Sequence, residues 1–268
     1  MHGIGNDFVL IDTIRDGVVS DDLSALSQKL CNRQFGIGGD GLILIEKPGD
    51  HLVMRMFNPD GSESEMCGNG LRTFARLSHD RGYGATEFPV ETGAGTLNVS
   101  FHEDNTVSID MGLAKLAPNQ IGMVSTATGD TFINQDIGKG LKGTAVSMGN
   151  PHLVIFVDDV SKVDLEVDGP NLERHSFFPQ RTNVHYVQVV SAEEITMRTW
   201  ERGAGATLAC GTGACAAAVA SFVNGKTGRA MKVNLPGGSL QIEYREDGTV
   251  LMRGPAEYSF EGTLGSPL

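Results

Sequence analysis

Positive charge is scarce in this chain of 268 residues: 21 Lys and Arg stand against 33 Asp and Glu, a net charge of −12. A nucleic acid or an anionic membrane would find no basic patch to hold it, so neither is an expected partner. No apolar run approaches the about 18 residues that a membrane-spanning helix needs. No basic stretch and apolar core follow Met1, so no signal peptide is expected. Cysteine is limited to Cys31, Cys67, Cys210 and Cys215, with no C-x-x-C among them. Cys210 and Cys215 are five apart, the wrong spacing for a zinc knuckle, and the seven histidines contain no H-x-x-x-H pair, so no metal is expected. The chain is long enough to fill its cores without disulfides, which points to a reducing compartment, the cytoplasm. A plastid address stays open should a transit peptide have been removed. Low-complexity segments are missing too.

Glycine is plentiful, at 35 residues, and implies many tight turns and close backbone approaches. The most informative feature is a repeat. Met66-Cys67-Gly68-Asn69-Gly70 returns 143 residues later as Ala209-Cys210-Gly211-Thr212-Gly213, and both run into apolar-periodic stretches. At the same spacing Gly95-Thr96-Leu97 falls on Gly238-Ser239-Leu240, and Glu103 to Val107 falls on Glu246 to Val250. Gly5-Asn6 falls on Gly149-Asn150 at a spacing of 144. One such match is cheap; four together indicate two copies of one domain-sized unit. The copies are too few and too long for a solenoid. The boundary is expected near Gly112 to Pro118. The tail beyond Pro255 is expected to return to the first copy, because an apolar end strand needs an edge to pair with. This gives domains 1–111 plus 256–268, carrying Cys67, and 112–255, carrying Cys210.

Local patterning fills in the elements. Phe8 to Ile11, Leu42 to Ile45 and Val53 to Phe57 read as strands. Leu23, Leu26 and Leu30 lie at helical spacing, with Ser20 or Asp21 as N-cap. A glycine-rich loop spans Gly36 to Gly41, and Asn58 to Ser62 is a turn. Leu71, Phe74, Ala75 and Leu77 predict a helix that stops at Gly82. Glu87 to Met111 reads as strands joined by Gly93-Ala94-Gly95 and Asp104-Asn105. In the second copy Leu153 to Val157, Val184 to Val190 and Ile195 to Trp200 are strands, and Asn171 to Arg174 is a short helix at best. Ala214 to Val223 is apolar all round, so a helix there should be buried. Asn105-Thr106 and Asp247-Gly248 suit hairpin turns.

Two thiols, each just before a glycine-rich helix start, suggest matched acid and base groups. An unperturbed thiol has a pKa near ~8.5, and a helix N-terminus, with its unsatisfied N–H groups, favours thiolate and bound carboxylate alike. Helix ends of this kind, facing each other across a cleft, would hold a substrate carboxylate against their amides. One sulfur would take the α-proton from one face and the other would return a proton to the opposite face. The enolate-like charge would fall to oriented N–H groups and the exclusion of water. Which sulfur starts as thiolate stays open, since the two motifs are so alike. Cys31 and Cys215 lack the glycine context and read as core residues.

Other chemistries fit less well. Gly36 to Gly41 matches G-x-G-x-x-G but precedes a strand, the reverse of a dinucleotide fold. Gly211 to Ala216 opens a helix, yet no acidic residue stands about 20 positions on. No Schiff-base lysine or phosphate cradle for PLP is evident.

With these residues in view, the chain resembles the diaminopimelate epimerase family over nearly its whole length. The motifs are His2 to Phe8, Phe57 to Ser62 running on to Cys67-Gly68-Asn69-Gly70, Met148-Gly149-Asn150-Pro151-His152, Arg181-Thr182-Asn183, and Glu201 to Gly205 running on to Cys210-Gly211-Thr212-Gly213. The resemblance implies an α+β fold of two pseudo-symmetric domains, each a mostly antiparallel sheet around a central helix, with the active site in the interdomain cleft. It implies a cofactor-independent isomerase with Cys67 and Cys210 catalytic. Asn6, Asn58, Gly68, Asn69, Asn150, Asn183, Glu201, Arg202, Gly211 and Thr212 would contact an amino-acid substrate, and the protein would be a homodimer. The residue types suit a substrate with two amino-acid ends: Arg202 for a carboxylate, Glu201 for an ammonium, asparagines for either. A proline or hydroxyproline racemase with a similar cysteine pair is the nearest rival, and a non-catalytic relative that binds a metabolite is the next. Family members usually carry residues ahead of the first motif, so with Met1 abutting His2 either the first strand is shortened or the start has been trimmed. Gly41 stands where some members have Gln, so no side-chain contact is carried over there; Ala206 stands where many have Glu, four residues before Cys210, and is expected to tune the loop and not the chemistry.

Overall fold

A computed structural model describes residues 1–17, 20–124 and 130–265. Residues 18–19, 125–129 and 266–268, which the two expected domains include, lie outside the described residues. The protein is α+β and dominated by strands. It divides into two compact units, Met1–Asp110 with Arg253–Leu268, and Met111–Met252.

The first unit opens with β1 (His2–Gly3), paired antiparallel to β2 (Asn6–Asp12). The first strand spans two residues; beside it Met1 N donates to the Phe8 carbonyl at 3.0 Å, and Phe8 N–H donates to the Met1 carbonyl at 2.8 Å. A single turn α1 (Thr13–Asp16) and helix α2 (Leu23–Cys31) follow. The cap of α2 is Asp22, one residue beyond Asp21 and two beyond Ser20, the expected caps; its carboxylate accepts from Ala25 N–H at 2.9 Å. Leu26 and Leu30 of α2 pack on Val9, Ile11, Leu42 and Phe57. Strand β3 (Gly41–Glu46) lies parallel to β2 and antiparallel to β4 (Leu52–Phe57). The two-residue β5 (Glu63–Ser64) folds back on β4 and leads to α3 (Gly68–Asp80). Strand β6 (Glu87–Thr92) returns parallel to β4, and β7 (Gly95–Phe101) and β8 (Thr106–Leu113) follow antiparallel. Parallel neighbours need a long crossover, usually helical. Helix α3 is the crossover from β4 to β6, which is why it opens beside strand ends.

The second unit adds the turn α4 (Pro118–Ile121), β9 (Gln135–Asp136) and β10 (Lys142–Ser147), none of which the patterning predicts. The ladder of the first unit then recurs. Strand β11 (Pro151–Phe156) precedes helix α5 (Leu165–Glu173), and β12 (Asn183–Ser191) lies parallel to β11. Strand β13 (Glu194–Glu201) pairs antiparallel to β12, and β14 (Gly205–Thr207) folds back on it. Helix α6 (Gly211–Val223) is the crossover to β15 (Ala230–Leu235), parallel to β13; β16 (Gly238–Tyr244) and β17 (Thr249–Pro255) complete the run. The copies agree at single-residue level: Leu52 pairs with Val90, and Ile195 with Val233. Asp104 accepts from the N–H and hydroxyl of Thr106, and Asp247 does the same for Thr249.

Two expectations need correction. Helix α5 starts at Leu165, well before Asn171, although it contains the breaker-like Asp168-Gly169-Pro170. Gly169 is there for space: a Cβ would meet the Trp200 ring at 2.5 Å. The tail beyond Pro255 forms an isolated bridge, Glu257 to His2, in place of an apolar strand. Helix α6 is buried from Gly213 to Ser221 and packs on β10 to β13, β15 and β16, as an all-apolar helix must.

Candidate functional site

Each unit presents its own cluster of the singled-out residues, built around a helix start. In the first, Cys67 is the N-cap of α3, in extended conformation (φ −139°, ψ 120°), and its carbonyl accepts the first helical bond from Leu71 at 2.8 Å. Its side chain makes no capping hydrogen bond. Cys67 Sγ lies 3.7 Å from Asn6 Oδ1, and Asn69 Nδ2 donates to the same oxygen at 3.1 Å. Asn6 Nδ2 in turn donates to Asp40 at 2.6 Å, and Arg33 holds both Asp40 and Asp7 at 2.7 Å. The fully buried Arg72 donates to Asn69 Oδ1 at 2.9 Å and to the Pro255 carbonyl at 3.2 Å. An amide has one donor end and one acceptor end. Here Arg72 and Asp40 decide which way Asn69 and Asn6 face. Gly3 leaves room for this: a Cβ there would come within 2.8 Å of Arg72. Gly68 and Asn69 form the first helical residues, as their motif predicts. The Asn58 side chain donates to Ser62 Oγ at 3.0 Å within its own turn.

In the second unit Cys210 is the N-cap of α6, again extended (φ −125°, ψ 104°) and again without a capping side chain. Cys210 Sγ is 3.7 Å from Thr212 Oγ1, which also accepts from Asn150 Nδ2 at 3.5 Å. Gly211 and Thr212 open the helix, and a Cβ at Gly213 would come within 2.9 Å of the Cys210 sulfur. Asn183 accepts from the Arg202 N–H at 2.9 Å and donates to the Pro151 carbonyl at 3.0 Å, which ties the start of β12 to the turn after β13. Glu201 accepts from Thr207 Oγ1 at 2.5 Å, and the Arg202 guanidinium donates to the Gln180 carbonyl at 3.1 Å.

Electrostatics correct one expectation. A helix N-terminus should favour thiolate, yet the Cys210 thiol is pushed up. Burial is the largest cause and the neighbouring Glu201 charge adds to it; the Gly213 amide and Thr212 hydroxyl pull the other way and lose. Burial of the thiol, which the sequence motif does not reveal, outweighs the helix end.

Residues to which sequence reasoning gave no role complete both clusters. Arg33, Asp40 and Arg72 serve the first. His152 and His185, both fully buried, serve the second. For Arg72, His152 and His185 the one available signal is a titratable side chain at a place that is apolar in the other copy. Among the described residues the four cysteines form no disulfide, no group of three or more His, Cys, Asp or Glu could hold a metal, and no helix is long and apolar enough to cross a membrane.

Comparison with known proteins gives the same grouping. The family model described as diaminopimelate epimerase matches residues 1–117 and 144–259. A diaminopimelate epimerase of Desulfitobacterium hafniense is 49% identical over 275 residues, covering 98% of this chain and 96% of that protein. One of Synechococcus elongatus is 48% identical over 269 residues, with the same coverage. Among solved structures, a putative phenazine biosynthesis PhzC/PhzF protein of Clostridium difficile superposes with a TM-score of 0.65 at 16% identity, covering 96% of this chain and 92% of that one. A probable proline racemase of Agrobacterium radiobacter gives 0.63 at 14% identity, covering 99% and 92%. At such identities these two likenesses concern the fold alone.

Proposed function

The chain belongs to the diaminopimelate epimerase family, and from that premise we propose that it interconverts LL- and meso-diaminopimelate by a two-base proton transfer between Cys67 and Cys210. The reaction needs no PLP and serves lysine and peptidoglycan-precursor biosynthesis in the cytoplasm, with the protein acting as a homodimer. The observation that carries the reading is the duplicated helix start: in each unit an extended cysteine is the N-cap of a 13-residue helix that opens on a glycine.

Inversion at carbon requires proton removal on one face and delivery on the other, which two groups accomplish without either having to move. The scheme requires both sulfurs to reach one α-carbon. The α-carboxylate would lie on the N–H groups of Gly68, Asn69, Gly211 and Thr212, where helix ends favour negative charge. There the same donors would meet the charge that develops as the α-proton leaves. Arg202 and the asparagines Asn6, Asn58, Asn150 and Asn183 would take the remaining polar groups. Glu201 would pair with an ammonium. That pairing has a chemical consequence: neutralising Glu201 removes one of the two causes that hold Cys210 protonated. Substrate would thereby ready the thiol for exchange.

Incubation in heavy water tests the reading. Deuterium is expected to enter the α-position of diaminopimelate and not that of proline. Incorporation into proline alone would assign the chain to the proline racemase chemistry, and incorporation into neither would leave a metabolite-binding protein.

A further inference from the structure

His152 and His185 form a polar pair where the fold does not ask for one. Both are fully buried, and their rings bond directly, His152 Nδ1 to His185 Nε2 at 2.8 Å. At the outer ends His152 Nε2 meets Asn150 Oδ1 at 2.8 Å, and His185 Nδ1 meets Thr199 Oγ1 at 3.0 Å. The duplicated ladder identifies their counterparts. Val154 pairs with His185 as Leu10 pairs with Ile43, and His185 faces Thr199 as Ile43 faces Met56. His152 pairs with Asn183 as Phe8 pairs with Gly41. The helix glycines agree: a Cβ at Gly70 would meet Ile43 and Phe8, and one at Gly213 would meet His185. In the first unit the two places are therefore filled by Phe8 and Ile43, both buried. The architecture packs well with apolar residues there, so two imidazoles bring the cost of burying polar groups without a packing reason.

What they change is the direction of an amide. In the first unit Asn6 turns its oxygen to the helix start, toward Asn69 and Cys67, and its nitrogen away to Asp40. In the second, Asn150 does the reverse: nitrogen to Thr212 at the helix start, oxygen to His152. The bonding order follows by deduction. Asn150 Oδ1 only accepts, so His152 Nε2 carries the N–H. A neutral ring then has a bare Nδ1, which must accept from His185 Nε2–H. His185 Nδ1 is bare in turn and accepts from the Thr199 hydroxyl. Burial pushes both rings down, His185 to about 3, so both are neutral as this order needs.

We propose that His185 is a positioning residue: through His152 it locks the Asn150 amide with its oxygen turned into the sheet and its N–H₂ turned toward Thr212 and the Cys210 helix start. Asn150 is thereby a donor to the site, suited to a carboxylate oxygen and unsuited to an ammonium. The substrate part of this inference rests on the epimerase reading above; the orientation does not.

The test uses the full chain labelled with ¹⁵N-histidine, with the two rings assigned from single-site variants. At neutral pH both rings are expected as the Nε2–H tautomer. His185→Ile installs the residue type that the first unit carries at this place. It is expected to leave His152 in mixed tautomers and to raise KM for diaminopimelate about tenfold, the worth of one well-made hydrogen bond, with kcat little changed. His185→Gln keeps a side-chain N–H and is expected to restore both. A wild-type His152 protonated at Nδ1 would overturn the proposal, as would a His185→Ile protein with unchanged tautomer and KM. If His185→Ile does not fold, the wild-type spectrum and His185→Gln still decide. A wild-type protein that turns over no diaminopimelate would refute the epimerase reading, while the tautomers would still judge the orientation.

Discussion

At the scale of single residues, the sulfur of Cys210 is the group whose state can be read most directly. Burial and the Glu201 charge both favour its neutral form, so in the empty protein it is a thiol at neutral pH. Its alkylation by iodoacetamide, followed by peptide mass spectrometry, should stay slow through neutrality and rise only above the ~8.5 of an unperturbed thiol. Glu201→Gln should move that profile toward lower pH without bringing it down to the unperturbed value, since burial is the larger cause. A wild-type profile at or below the unperturbed thiol would show that the helix end wins after all. The glycines that follow the cysteines offer a second comparison. A Cβ at Gly213 would sit 2.4 Å from a ring atom of buried His185, whereas one at Gly70 would sit 2.8 Å from the tip of the Ile43 side chain. A methyl tip can swing aside and a ring bonded at both nitrogens cannot. Gly213→Ala is therefore expected to cost about 1–3 kcal/mol in urea unfolding, at the level of core overpacking, and Gly70→Ala clearly less. Equal costs would mean that the histidine pair yields as easily as isoleucine.

At the scale of elements, helix α2 tests how a cap is recognised. Asp21 and Asp22 are adjacent acids ahead of the same apolar stripe, and only Asp22 bonds the Ala25 N–H. Asp22→Ala should cost about 1 kcal/mol of stability, the usual worth of a cap, and Asp21→Ala almost nothing. The reverse order would place the helix start one residue earlier. The same example shows what the sequence carries and what it hides. Apolar spacing locates α2, α3 and α6, because a stripe must face a core whatever surrounds it. Both cysteines stand where the glycine motif placed them, as the last extended residue before a helix. Turn chemistry is legible where a side chain does the work, as at Asp104 and Asp247. Helix α5 was only glimpsed, because Gly169 answers to the ring of Trp200, which is 31 positions away in sequence. The parallel pairings of β2 with β3 and β4 with β6 are likewise settled by long crossovers and leave no local mark. Around the cysteines, spacing points to the sulfurs and the helix-start glycines. It does not point to Arg72, Asp40 or the histidine pair, whose role is to orient a neighbour's amide through contacts far apart along the chain.

At the scale of the whole molecule, duplication is itself an argument about mechanism. A single base fixed on one face of a planar carbanion returns the proton to that face, so it inverts only if the base or the carbanion moves. An ancestral unit with one helix-start thiol would face that demand, and under the two-base reading the second copy removes it. The divergence between copies then matters as much as their likeness: Asn6 is oriented by Asp40 and Asn69, Asn150 by His152, and the two amides face opposite ways. Matched thiols with differently directed surroundings suit a substrate whose two faces must be told apart. If the two sulfurs share one reaction, Cys67→Ala and Cys210→Ala should each abolish inversion. The expected loss in kcat/KM is at least the about 10²- to 10⁴-fold that a positioned acid or base contributes, in both directions of the reaction. Run in heavy water, the wild-type protein should deliver solvent deuterium to the product at early times while leaving the remaining substrate unlabelled, because the incoming hydrogen comes from the opposite thiol. Chiral chromatography with mass detection reads both quantities at once. Either alanine variant with near-full inversion, or early label in the substrate as well as the product, would reduce the pair to a single working base.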